Sequence, residues 1–210
     1  MTYFSSRGLA EPIRLILAYA GVDYEAVHLG AYNRQDQPEP FKQLVASGVL
    51  PFDMVPMWRE PGGLQVTQSA AVIRHLARVH NLCGDNEQQR TRIEELVEGF
   101  SDTRSGIQAA AAQPDKAAAR QDVETKVLPK WLGYYEKILK TQNSKVLVGD
   151  RVSYADILLY YFIENVTEQK LFKLDEYPFL TALFKEIGAH PGIAAHTQNP
   201  NRYPVQYVFN

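Results

Sequence analysis

Cysteine is nearly absent from the 210-residue chain: Cys83 stands alone. No internal disulfide framework is possible, and such sparing use fits a reducing, cytoplasmic setting. Histidine is also scarce. His28, His75, His80, His190 and His196 are scattered without cysteines beside them, and the five-residue step from His75 to His80 suits one helical face poorly, so no metal site is expected. No apolar run approaches the ~18 residues of a membrane span. Neither sign of charge dominates: 22 Lys and Arg against 24 Asp and Glu leave −2, which argues against a nucleic-acid or acidic-membrane partner. No leader peptide is expected either, because Met1-Thr2-Tyr3 runs directly into a folding pattern. The length allows one large domain or two small ones with a real core.

What is present begins at once. Tyr3-Phe4, Arg7-Gly8 and Glu11-Pro12-Ile13-Arg14 fall within fourteen residues. A very short strand ends on a phenol, a polar loop follows, and an amphipathic helix starts. That order puts a phenol and a guanidinium at the mouth of a strand–helix turn, where open α/β sheets collect ligands. The pair suits a small anion, such as a thiolate, held beside a neutral O–H donor. Read alone, a Tyr opening a strand is equally an ordinary β-former.

The pattern changes character near Gly84. Before it, strands are predicted at 2–4 and 24–29, with a helix at 11–19 carrying Ile13, Ile16, Leu17 and Ala20 and stopping at Gly21. A polar loop fills 30–40, with a short helix after it. Residues 55–58 and 64–67 read as a hairpin around Pro61-Gly62-Gly63, and 69–80 as a helix with Val72, Ile73, Leu76 and Val79 inward. This is β-α-β, a linker, then β-β-α, a thioredoxin-like order without Cys-x-x-Cys at the first turn. Such a module binds a thiol rather than cycling a disulfide.

After it, helices are predicted at 87–113, at 122–139 with a kink at Pro129, from Ser153 to about Glu168, and at 177–188. The tract at 117–119 reads as mostly exposed, and that at 109–112 as a slim helix face. Ser153-Tyr154-Ala155-Asp156 has the form of a capping box. The fold class is therefore an α/β thioredoxin-like N-terminal domain (1–81) followed by an all-α helical-bundle domain (82–210).

Together these pieces resemble a cytosolic glutathione S-transferase of the tyrosine type, the alpha, mu, pi and sigma group. Four segments carry the likeness: the N-terminal one above, Phe52-Asp53-Met54-Val55-Pro56, Gln68-Ser69 with Ile73-Arg74-His75-Leu76, and Val148-Gly149-Asp150 with the capping box. The Gln68–Leu76 run and Ser101-Asp102-Thr103-Arg104 look most like the pi class.

The resemblance implies a homodimer with glutathione as co-substrate, conjugating it to hydrophobic electrophiles in detoxification. It makes Tyr3 the hydroxyl that holds the thiolate, with Arg7 strengthening the local field. Ser5 and Ser6 are the competing hydroxyls. Val55-Pro56 becomes a cis-proline turn whose Val55 backbone pairs with the peptide. Gln68 and Ser69 would take the γ-glutamyl carboxylate, where Ser69 read locally is an N-cap. Asp102 would reach across the dimer to the γ-glutamyl amine, or is simply a solvated charge. Phe52 stands as the aromatic key into the partner subunit. Two departures concern the glycyl end: Met54 replaces a frequent Gln, and no Trp lies between Gly30 and Pro51, leaving Lys42 as the nearest cation. The alternatives on the same residues are a glutathione-dependent isomerase of prostaglandin type and a non-catalytic ligand carrier.

Overall fold

Strand β1 (Thr2–Tyr3) is two residues long yet paired on both edges. β2 (Val27–His28) runs parallel to it, and β3 (Met57–Arg59) antiparallel. β4 (Gln65–Thr67) pairs antiparallel with β3, giving the order β2-β1-β3-β4 in the computed structural model, which describes residues 1–209. The strand expected at 24–29 shrinks to Val27–His28 because β1 offers only two residues of ladder. In register, Thr2 lies opposite Val27 and Met57, and Met57 opposite Thr67. The C-terminal ends of β1 and β4 and the approach to β3 therefore share one end of the sheet, the end where this fold places ligands.

A 3₁₀ turn over Gly8–Ala10 leads into α1 (Glu11–Ala20), which Gly21 closes at φ +65. Ile13, Leu15, Ile16 and Leu17 are all fully buried, more than an amphipathic stripe requires. The cause is position: α1 packs against α3 (Ser69–Val79) and also against α7 (Tyr154–Glu168) and α9 (Pro191–Thr197). The approach of α9 is close enough that a Cβ on Gly192 would fall 1.9 Å from the Ala18 carbonyl oxygen. One hydrophobic core thus runs from the sheet half into the helical half. A smaller cluster around Tyr3, Phe4, Leu29 and Met57 is closed by Phe41 of α2 (Glu39–Ala46).

The helical half opens with α4 (Glu87–Ala111), capped by the Asn86 side chain, which accepts from the Gln89 amide. α5 (Lys116–Asp122), a π-wound segment (Val123–Val127) and α6 (Leu128–Gln142) then follow one another directly. The helix expected at 122–139 is thus the middle of a longer run. Pro129 follows the π-wound segment directly, so its missing N–H falls where the winding of the run changes. Ala117 and Ala118 are exposed, as expected of a mostly exposed tract, while Ala119 is buried where α5 closes onto the neighbouring helices. The capping box forms: Asp156 accepts from the Ser153 N–H and hydroxyl, both at 2.8 Å, and from the Leu147 amide at 2.7 Å. α8 (Pro178–Gly188) matches expectation, whereas α9 was not foreseen. Among the described residues, no helix is long and apolar enough to cross a membrane.

Candidate active site

The Tyr3 side chain is buried, and its phenolic oxygen accepts a hydrogen bond from the Leu9 amide at 3.0 Å. Burial raises its pKa, against the weaker pull of that amide and of the Arg14 and Arg104 guanidinium charges. The phenol is therefore neutral at physiological pH. With one lone pair engaged by Leu9, its own O–H is polarised as a donor. Gly8 makes this approach possible: at φ +40 its Cα faces the ring, and a Cβ there would lie 2.5 Å from the hydroxyl. Ser5 and Ser6 spend their backbone amides on the Gly30 and Phe4 carbonyls, both at 2.8 Å. From α7, the Tyr161 hydroxyl lies 3.5 Å from the Gly8 carbonyl oxygen.

Val55, which packs in the same cluster as Tyr3, keeps one backbone donor and one backbone acceptor unspent. The Val55–Pro56 peptide is cis, and neither the N–H nor the C=O of Val55 has a partner among the described residues. Gln68 precedes α3 at φ +67, and no side chain caps the helix. Ser69 is the first helical residue rather than the N-cap that a local reading gives. The uncapped first-turn amides and the positive end of the helix dipole form an anion-attracting terminus at the same end of the sheet as Tyr3.

Comparison with known proteins gives two domain matches. Residues 1–78 match the N-terminal domain of glutathione S-transferases, and residues 101–200 match their C-terminal domain. The chain belongs to the glutathione S-transferase family. It is 35% identical to glutathione S-transferase 3 of Gallus gallus over 193 residues, covering 91% of this chain and 81% of that one. Identity to glutathione S-transferase alpha-5 of Rattus norvegicus is 31%, over 93% of this chain and 86% of the relative. The Onchocerca volvulus pi-class structure superposes with a TM-score of 0.78 at 28% identity, covering 98% of this chain and 95% of that one. Alpha and pi names both occur, so these likenesses define the family and not the class.

In this transferase the remaining expected residues are dispersed. Phe52 and Met54 project from the loop before the cis bond, 60% and 56% exposed. Lys42, on α2, forms an exposed ion pair with Asp36 at 2.9 Å, which raises its pKa. Asp102 is exposed on α4, and its charge bears on Tyr135, whereas Arg104, two residues on, bears on Tyr3. Two residues are about 200° of helix rotation, so the pair looks in nearly opposite directions.

Arg7, expected to strengthen the field at the phenol, makes its own hydrogen bonds elsewhere. Its Nε donates to the Tyr203 carbonyl at 2.6 Å and its Nη1 to Glu168 at 2.8 Å, so it is turned toward the helical half. Arg14 and Arg104 are cations whose charge favours the ionised form of Tyr3. Around Arg7 lies a buried polar network that sequence reading missed, built on Glu11, Arg14, Glu164 and Arg202. Only the acidic residue and the arginine of Glu11-Pro12-Ile13-Arg14 signalled it locally. Two surface clefts, one lined by Tyr19, Lys145, Arg151 and Glu186, the other by Arg92, Tyr134 and Lys137, share no residue with this site.

Proposed function

We propose that this transferase conjugates glutathione to hydrophobic electrophiles, with Tyr3 holding the sulfur as a thiolate. A free cysteine thiol has a pKa of about 8.5, and lowering it by two units needs ~2.7 kcal/mol of preference for the anion. One hydrogen bond to a charged acceptor supplies about 1.5–3 kcal/mol. The observation that carries the reading is the Leu9–Tyr3 contact: the amide fills the acceptor side of a neutral, buried phenol, so its proton is free to donate outward. The surroundings support it. Val55 has an unpaired backbone donor and acceptor for a peptide, and the uncapped start of α3 at Gln68 and Ser69 suits a carboxylate.

Residues 1–81 form the glutathione-binding unit, and 82–210 supply much of the electrophile wall, including the alanine tract at 109–112. Met54 and Lys42 border the glycyl end. Asp102 faces away from the Tyr3 side of α4, in keeping with service to a second subunit in a cytoplasmic homodimer keyed by Phe52. In the reaction Tyr3 donates its O–H to the sulfur, Val55 orients the peptide, and burial of the turn limits water around the phenol. Steady-state kinetics with a model aryl halide test the assignment. Tyr3→Phe lowers kcat/KM about a hundredfold at neutral pH, the scale of losing one pre-organised donor. The KM for glutathione changes little, and the deficit narrows as pH approaches the thiol's own pKa. An unaltered kcat/KM in the variant would remove Tyr3 from the reaction.

A further inference from the structure

We infer that the C-terminal strap at Arg202-Tyr203 is a positioning element for the Tyr3 turn, acting through Arg7, Glu11 and Arg14. The contacts converge from three distant parts of the chain. Arg202 donates Nε to Glu11 Oε1 at 2.7 Å and its Nη groups to Glu164 at 2.9 and 2.5 Å. His196 Nε2 lies 2.9 Å from the same Glu11 oxygen. The other oxygen, Glu11 Oε2, accepts from Arg14 Nη1 at 2.8 Å, and that nitrogen also reaches the carbonyls of Ser6 at 2.9 Å and Arg7 at 3.3 Å.

Tyr203 completes the brace. Its carbonyl accepts from Arg7 Nε, its ring lies 5.3 Å beneath the Arg14 guanidinium, and its hydroxyl is 2.9 Å from His28 Nδ1. Further along, the Val208 amide donates to Gln169, so the strap is fastened beyond Tyr203 as well. Residues 6 and 7, whose carbonyls are gripped, lead straight into Gly8 and the Leu9 amide that meets the Tyr3 hydroxyl. Apart from the Tyr3 hydroxyl, the turn before Leu9 is held by Arg7, which reaches Tyr203 and Glu168, and by Arg14, which grips the Ser6 and Arg7 carbonyls and lies over the Tyr203 ring. Arg202 makes no described contact with Tyr3 and acts on it through these groups.

The link from this brace to thiol activation rests on the functional reading above, whereas its effect on the turn does not. Amide hydrogen exchange therefore tests it first, with Leu9 compared against Leu132, a fully buried α6 residue outside the network. In Arg202→Met, Leu9 exchange accelerates at least about tenfold relative to Leu132, a ratio that general destabilisation would leave unchanged or lower but not raise. Because that variant leaves Glu164 buried without its partner, Arg202→Met/Glu164→Met is the second variant; there Glu11 still keeps Arg14 and His196. Arg202→Lys restores part of the protection. The bound-glutathione thiol pKa rises by about one unit in both methionine variants, a tenfold change in thiolate affinity. An unchanged Leu9-to-Leu132 ratio in both overturns the inference, as does a thiol shift without a change at Leu9. An unshifted thiol in the parent protein overturns the functional reading instead, and the Leu9 ratio still decides the strap.

Discussion

The Leu9 amide and the Tyr3 hydroxyl meet at 3.0 Å across the Gly8 backbone, and nothing larger than glycine fits between them. Gly8→Ala brings a methyl to within 2.5 Å of the hydroxyl at a backbone angle that L side chains rarely adopt. Relief requires the turn to open and the Leu9 bond to break. The expected result is a loss of about 1–3 kcal/mol in stability with kcat/KM for conjugation down at least about tenfold. Chemical denaturation and steady-state kinetics read the two effects; full activity in a stable variant would show that the contact is dispensable.

The start of α3 offers a second test. Ser69 is half-buried, and its hydroxyl makes no hydrogen bond among the described residues, so removing it should cost the fold little. Ser69→Ala raises the KM for glutathione about tenfold, equivalent to ~1.4 kcal/mol of binding, while the melting temperature stays near that of the parent. A large fall in melting temperature with unchanged KM would make Ser69 a structural residue.

These two elements also mark how far the sequence could be read. The order of strands and helices along the chain and the capping box are readable from local pattern, whereas the cis-proline turn rests on the family resemblance. Ser153 and Asp156 are three residues apart, and the pairing follows from helix geometry alone. The strand–helix turn at Tyr3 was legible for the same reason. The brace was not, because Glu11 and Arg202 are 191 residues apart and no spacing rule joins them. The partners of Arg7 were hidden for the same reason, because they depend on where the C-terminal strap passes. Helix α9 escaped because seven residues carry too little periodicity, and its position is set by Gly192 lying on α1.

Glu11 makes the brace sensitive to acid. Burial would raise its pKa, but His196, Arg14 and Arg202 outweigh that and bring the carboxyl down to about 2. Its pKa in the unfolded chain is about 4.5, so the stabilisation is complete above that value and is lost as pH falls through about 2. A shift of this size corresponds to about 3 kcal/mol. Urea unfolding at a series of pH values is expected to show the parent's advantage over Glu11→Gln shrinking by roughly that much between pH 5 and pH 2. A difference that stays flat over that window would show Glu11 to be unperturbed.

Phe52 is 60% exposed on a loop held at one side by Asp53 at φ +51, an unusual place for a large ring in an isolated chain. If the chain pairs as proposed and Phe52 inserts into a second subunit, Phe52→Ser shifts the equilibrium toward monomer in analytical ultracentrifugation, with loss of an aromatic anchor worth about 2 kcal/mol or more. An unchanged sedimentation coefficient would remove Phe52 from any subunit contact.

The most direct measurement is the pH titration of thiolate absorbance for glutathione bound to the parent and to Tyr3→Phe. The account predicts ionisation about two units below the free thiol in the parent, and a return toward the free value in the variant. The same thiol pKa in both proteins would contradict it and return the activating role to Ser5 or Ser6.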